Sequence, residues 1–161
     1  MTSKSAARID DLIRRITEVL PIMDRVSDVE SKAPNPGATE AQLAAAELEL
    51  GVSLPEDYRA FLAHNDGWPG MWDFQWFSLD QLTDETVQGE MASDDDPLGI
   101  TGGFWVGHCR NDDLGYFLRG SADGCEFLQV TCGEPEVTSM TRALTAILEN
   151  FTETAAEECA E

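Results

Sequence analysis

The residues best suited to chemistry are an adjacent histidine and cysteine, His108 and Cys109, because such a pair can supply a base and a nucleophile. They lie in a predicted strand, Phe104–Cys109, and neighbouring residues of a strand point to opposite faces. We therefore do not expect a hydrogen bond between the two side chains. His64 falls in the last turn of a predicted helix, where a cation complements the helix dipole, and is interpreted as structural. The sequence predicts no catalytic residue and no enzyme.

Three consecutive aspartates, Asp94, Asp95 and Asp96, are the candidate ligands for a cation. Calcium loops usually alternate their ligands and add a glutamate at a fixed later position. Consecutive acids before a proline are more typical of a solvated loop, which is the interpretation we favour. A weak cation site is the alternative. The chain also lacks a P-loop, a dinucleotide-binding fingerprint and the hydrolase motifs G-x-S-x-G and H-E-x-x-H. We expect neither a metal nor a cofactor.

The net charge of the chain is strongly negative and unevenly distributed. Its 161 residues include 10 lysines and arginines and 31 acids, which gives −21. Residues 1–36 contain six of each sign, so residues 37–161 carry the whole excess. Such a surface repels nucleic-acid phosphates and anionic membranes, and it attracts a basic protein. Solubility in an acidic cytoplasm is the alternative explanation of the charge.

The sequence shows no feature of export. No apolar run approaches the roughly 20 residues of a membrane span, and the N-terminus lacks the uninterrupted apolar stretch of a secretory signal. The cysteines have neither disulfide-scaffold nor zinc-site spacing and predict buried thiols. These features favour the cytoplasm. The cysteines concerned are Cys109, Cys125, Cys132 and Cys159.

Acidic residues concentrate in predicted turns and loops beside aromatic strands, and this pattern predicts an acidic, partner-binding face. Tryptophan can anchor an interface when a polar rim surrounds it. Core packing is the alternative for each tryptophan, and we expect burial even for the loop residue Trp68. The residues of the predicted face are Asp73, Asp94, Asp95, Asp96, Asp112, Asp113, Asp123, Glu134, Glu136 and Trp68.

The apolar pattern of residues 1–36 predicts an N-terminal helical extension. An apolar stripe from Ile9 to Leu20 makes residues 5–20 an amphipathic helix, which Pro21 is expected to interrupt before a second, kinked segment. The loop at residues 31–37 contains two prolines and a glycine and predicts a linker or domain boundary. We expect the extension to pack on the domain, and an oligomerisation or partner helix is the alternative.

The stretch that follows predicts two helices joined by a tight turn. Thr39 and Gln42 form a capping box that opens the first helix. Gly51 can end that helix in the left-handed conformation that most residues avoid.

The second helix begins at Pro55, whose fixed φ suits a first helical position. Asn65 and Gly67 tolerate positive φ and are expected to end the helix. Its apolar residues are spaced three and four apart and predict one core-facing side. Those residues are Tyr58, Phe61 and Leu62.

The second half of the chain predicts an antiparallel sheet and a closing helix. Alternating aromatic residues at 70–79 indicate one half-buried strand. A short helix or turn follows at 79–88, and then a polar, glycine-rich loop at 91–103. Turn sequences separate three further strands and imply a meander. Those strands are Phe104–Cys109, Leu114–Leu118 and Glu126–Thr131.

The last element is a predicted helix over Ser139–Phe151, followed by an acidic tail that is expected to fray. The predicted fold class is therefore α+β. An antiparallel sheet of about four or more strands packs with N-terminal helices and a C-terminal helix.

The stretch from Leu50 to Gly67, which includes the turn and the second of the two helices, carries a family resemblance. Its order of residue types resembles the SUKH superfamily, the Smi1/Knr4-like domains. The resemblance covers about residues 39–151 and implies a SUKH-like domain over residues 37–161. The residues that carry it build the fold, which alone does not give a function. They are Leu50, Gly51, Leu54, Pro55, Tyr58, Phe61, Leu62, Asn65 and Gly67.

The resemblance implies a role in protein binding. Bacterial members are mostly immunity proteins, encoded beside polymorphic or contact-dependent toxins, that bind a cognate toxin, often a nuclease. Fungal members are regulators and adaptors. Compact length and negative charge favour the bacterial type, so we predict a cytoplasmic immunity protein that occludes a basic toxin stoichiometrically. The oligomeric state is left open, with a monomer favoured. An adaptor or regulatory domain without a toxin partner is the alternative.

Overall fold

The computed structural model describes residues 3–95, 103–110, 113–121 and 124–159. Within these ranges, helices pack against an antiparallel sheet. The helices are α1 (Lys4–Ser27), α2 (Glu40–Leu50), α3 (Glu56–His64), α4 (Leu79–Leu82), α5 (Glu85–Asp95) and α6 (Met140–Cys159). The strands are β1 (Trp68–Met71), β2 (Phe74–Trp76), β3 (Gly103–Cys109), β4 (Leu114–Ser121), β5 (Gly124–Thr131) and β6 (Glu134–Thr138).

These strands form one antiparallel sheet whose spatial order is the order of the chain, from β1 to β6. Trp105 lies opposite Phe117, Phe117 opposite Leu128, and Leu128 opposite Val137, so these four share one face. Short connections join β1 to β2 and the successive strands from β3 to β6, whereas α4 and α5 lie between β2 and β3 along the chain. The predicted α+β class and the predicted meander are confirmed.

The other face of the sheet meets the helices through aromatic rings. The ring of Tyr58 on α3 lies 5.7 Å from that of Phe127 on β5. Phe61, also on α3, meets Trp76 edge-on at 5.9 Å. The predicted inward side of α3 is therefore confirmed, and α3 is fixed to the centre of the sheet.

The N-terminal helix α1 is continuous, and the predicted break at Pro21 is wrong. Pro21 lies on the exposed side of the helix, while Leu20 and Met23 are buried beside it. Core packing on both sides of the proline compensates for its missing N–H. The apolar stripe of α1 belongs to the same hydrophobic cluster as the rest of the fold, which confirms that this segment packs on the domain.

The predicted linker at residues 31–37 lies along β1 and is bonded to it. Lys32 N donates to Gly70 O at 2.8 Å, and Asn35 N donates to Gly67 O at 3.1 Å. These bonds cover the outer edge of β1, which would otherwise present unpaired backbone groups. The segment is thus a strap that ties α1 to the sheet.

The turn between α2 and α3 forms largely as the sequence predicts. Both halves of the Thr39–Gln42 capping box are present, and Gly51 caps α2 in the left-handed conformation with φ 71°. Pro55 is the residue before α3 and not its first residue. Asn65 is extended, with φ −144°, so the expectation of positive φ there is wrong. Its amide donates to Asn35 O at 3.1 Å, and this bond favours the extended form.

The single strand predicted at 70–79 is instead the β1–β2 hairpin. The chain turns at Trp72, which has φ 53°, a strained value for a bulky residue. Its N–H donates to the hydroxyl of Ser31 at 3.0 Å, and its ring lies 5.6 Å from that of Phe151. Contacts from distant parts of the chain therefore hold a turn that the alternating pattern concealed.

Three further boundaries differ from the predictions. α5 extends to Asp95, so the first residues of the predicted 91–103 loop are helical. α6 continues to Cys159, where a frayed tail was expected, because Ala155 is buried against the core. Strand β6 was not predicted, since its exposed sequence, EPEVT, lacks a buried alternating set.

The four cysteines lie within the described ranges, and none forms a disulfide. Cys109 is buried and Cys125 is half-buried, which raises the pKa of the Cys125 thiol to about 11. The expectation of burial is wrong for Cys132 and Cys159, which are exposed.

Candidate functional site

The histidine–cysteine pair lies on β3, with its side chains on opposite faces, as expected. His108 Nε2 lies 3.1 Å from the amide oxygen of Gln75 on the neighbouring strand. Cys109 is 7% exposed and pairs with Phe74. His64 Nδ1 lies 2.8 Å from Asn65 Oδ1. In the part of the chain that the structure describes, no group of three potential metal ligands comes together.

Two residues of the predicted acidic face are buried. Trp68 is 1% exposed, and its indole N–H donates to Lys32 O at 2.7 Å. Asp73 is 8% exposed in the β1–β2 turn, where its carbonyl accepts from Arg110 N at 2.9 Å. The strap and the neighbouring turn cover both positions. They are therefore removed from the predicted surface.

The other predicted residues divide into two groups. Asp113, Glu134 and Glu136 are exposed, and the carbonyl of Asp113 accepts from Cys132 N at 3.0 Å, which joins the β3–β4 and β5–β6 turns at one end of the sheet. We call these three acids the turn-end acids. Asp94 and Asp95 lie in the last turn of α5 by their backbone. Asp96, Asp112 and Asp123 lie outside the described residues.

A second acidic region lies between α2 and α4 and was not predicted. Glu49, Asp66 and Asp80 line a groove of about 230 Å³, and none of its lining residues within the described ranges is basic. We call it the acid-lined groove. Its remaining lining residues are small or uncharged: Gln42, Ala45, Ala46, Leu79 and Thr83.

The acids of this groove keep an uncompensated negative charge. In the described ranges, none of Glu49, Asp66 and Asp80 has a basic partner within 4 Å. Partial burial raises the pKa of Asp66, and the negative charge of Asp80 raises it further. The backbone N–H of Leu79, which donates to the Asp66 carboxylate at 2.8 Å, lowers the pKa and opposes this rise. The groove is thus a region of negative potential with one partly desolvated carboxylate.

The opposite side of α2 is electrically different. Arg59 on α3 bonds Glu47 at 2.9 Å and Glu40 at 2.6 Å. The guanidinium lowers the pKa of Glu40 by its hydrogen bond. The guanidinium therefore offsets one of the two negative charges of these acids within the fold.

Sequence reasoning missed the groove because its residues are distant along the chain. The Thr39–Gln42 capping box indicated the start of α2. In the sequence, however, nothing distinguishes Glu49 from any other acidic residue on the surface of a helix. Asp66 lies beside the start of α4, where its carboxylate accepts the N–H of Leu79. Without the tertiary fold, no sequence spacing joins these residues.

The turn between α2 and α3, the antiparallel meander and the closing helix α6 define an α+β domain that carries the acid-lined groove at its surface. The family model for SMI1 / KNR4 (SUKH-1) matches residues 37–153, well over half of the chain. The chain belongs to the SMI1/KNR4 family (SUKH-1). No curated protein matches it.

Helix α1 precedes the matched region, yet its buried side joins the core of the matched domain. None of the helices in the described residues is long and apolar enough to cross a membrane.

Proposed function

We propose that the protein is a cytoplasmic immunity protein that binds and neutralises a cognate, basic bacterial toxin. The observation that carries the proposal is the concentration of charge. Residues 37–161, which include the SUKH-1 region, carry the whole net charge of −21. An acid-lined groove and the turn-end acids present part of this charge at the surface of the domain.

The proposed mechanism is stoichiometric occlusion. Negative potential attracts a basic partner over about one Debye length, roughly 8 Å at physiological ionic strength, and raises the association rate. Apolar contacts made after encounter then set the dissociation rate. A toxin whose substrate-binding cleft is basic, such as a nuclease, presents the complementary charge and is blocked when that cleft is covered.

The proposal assigns no catalytic step to this chain. His108 and Cys109 point to opposite faces of β3, and the bond of His108 to Gln75 occupies its Nε2 atom. A nucleophile and its base require mutual hydrogen-bonding geometry, which this arrangement does not offer. The proposed activity is binding.

The product of the gene adjacent to this one is the partner to test. We expect the two proteins to co-purify as a complex of fixed stoichiometry, and we expect this chain to relieve growth arrest caused by that product. Failure to bind and to protect would contradict the proposal. A stable complex with a partner that is not toxic would indicate an adaptor.

A further inference from the structure

Helix α2 presents an apolar face to solvent. Leu48 is 86% exposed, compared with 60% for Val137 and 38% for Val26, the other exposed large apolar residues that the described ranges contain. Ala41, Ala44 and Ala45 are also exposed, and helical spacing places them on the same side as Leu48. We call these four residues the Leu48 face.

The two sides of the Leu48 face are recessed. The acid-lined groove, with Ala45 and Glu49 on its α2 wall, lies on one side. A shallow recess of about 470 Å³, whose lining includes Leu48, Gly51 and Val52, lies on the other. An exposed leucine between two recesses can fill a pocket of a partner while side chains of that partner enter the recesses. Residues that are fully desolvated at the centre of an interface, inside a rim that excludes water, carry most of its binding energy.

Charge identifies the kind of occupant. Glu49, Asp66 and Asp80 beside the Leu48 face are not neutralised, whereas Glu47 and Glu40 on the other side are paired with Arg59. A second copy of this chain would bring like charges together and is disfavoured. A basic partner would place a lysine or arginine in the groove, where the partly desolvated carboxylate of Asp66 strengthens the attraction.

We propose that the Leu48 face is the docking surface for a basic protein, with an apolar pocket of that protein over Leu48 and a basic side chain of it in the acid-lined groove. This inference rests on the proposed function and names the surface that performs it. Alanine side chains lose no rotamer entropy on binding, and α2 is already formed, so docking requires little reorganisation.

The first test compares two exposed apolar residues. The probe is the purified product of the adjacent gene, and its dissociation constant is measured with Leu48→Ala and with the control Val137→Ala. We expect Leu48→Ala to weaken binding by about tenfold or more, as for an interface anchor. We expect Val137→Ala to stay within about twofold of the wild type. Because Leu48 is exposed and alanine favours helices, α2 should remain folded, which circular dichroism verifies.

The second test compares two acidic pairs of equal charge. Glu49→Gln/Asp80→Asn removes two charges at the groove, and Glu134→Gln/Glu136→Gln removes two among the turn-end acids. We expect the groove pair to slow association at low salt several-fold more than the turn-end pair. An equal or reversed effect would move the docking surface to the end of the sheet.

The failures of the two proposals can be distinguished. If the wild type does not bind the probe, the proposed function is overturned, and the docking surface with it. If the wild type binds and Leu48→Ala binds equally well, only the docking surface is overturned. Hydrogen-exchange protection of α2 in the complex would support the proposal, and unchanged exchange there would contradict it.

Discussion

Glu47 on α2 accepts the backbone N–H of Leu54 at 2.9 Å, across the turn that leads into α3. Its other carboxylate oxygen accepts from Arg59 Nε at 2.9 Å. One side chain therefore fixes both the backbone of the turn and the helix after it. Glu47 thus holds the α2–α3 turn, although it is not one of the residues between Leu50 and Gly67 on which the SUKH resemblance rests.

Replacing this side chain tests its role in the fold. We expect Glu47→Ala to lower the free energy of unfolding by about 1–3 kcal/mol, because a hydrogen bond to Leu54 and an ion-paired bond to Arg59 are lost together. Urea denaturation measures the change. The neighbouring exposed change Glu49→Ala should stay within about 0.5 kcal/mol of the wild type. Equal stabilities of the two variants would show that Glu47 does not hold the turn.

Two glycines should respond to alanine in opposite directions. Gly67 has φ 86°, and a Cβ there would lie 2.7 Å from the backbone nitrogen of Ser78. We expect Gly67→Ala to destabilise the protein by about 2 kcal/mol or more, from backbone strain and the close approach.

Gly89 is the matched control, since it lies within α5 and a Cβ there would meet nothing within 4 Å. We expect Gly89→Ala to stabilise the protein by up to about 1 kcal/mol. Thermal unfolding of both variants provides the measurement. A neutral Gly67→Ala would contradict the described chain path into β1.

The carboxyl of Asp66 should make stability depend on pH. Its pKa is raised chiefly by partial burial, so the folded chain binds the proton more tightly than the unfolded chain does. Ionisation of Asp66 therefore costs stability as the pH rises through its folded pKa. Asp66→Asn removes the charge and keeps an oxygen for the N–H of Leu79.

We accordingly expect Asp66→Asn to be more stable than the wild type at pH 7, and the difference to shrink as the pH falls toward the usual aspartate value of about 3.9. Urea midpoints across this range measure the difference, with the exposed change Glu149→Gln as the control. If the variant is less stable than the wild type at pH 7, or if the difference in stability grows on acidification, ionised Asp66 does not destabilise the fold and the prediction is wrong.

Local signals predicted much of the fold. The Thr39–Gln42 box, the positive φ of Gly51 and the inward side of α3 follow from short-range chemistry, and each is present in the structure. The β1–β2 hairpin could not be predicted in this way, because its turn at Trp72 depends on Ser31 and Phe151. The continuity of α1 through Pro21 likewise depends on tertiary packing.

The candidate site was less accessible to sequence reasoning. Charge counting located the acidic excess in residues 37–161 and the burial expected for Trp68 is confirmed, but the burial of Asp73 could not be predicted. Nor could charge counting distinguish Glu47, which is paired with Arg59, from Glu49, which lies in the acid-lined groove. That difference arises because one side of α2 meets Arg59 of α3 and another side faces the groove.

The association rate with the product of the adjacent gene, measured against ionic strength, tests the central claim most directly. If negative charge draws a basic partner to this domain, the rate should fall markedly between about 50 mM and about 500 mM salt, while the dissociation rate changes less. An association rate that does not vary with salt, or the absence of a complex at low salt, would contradict the account.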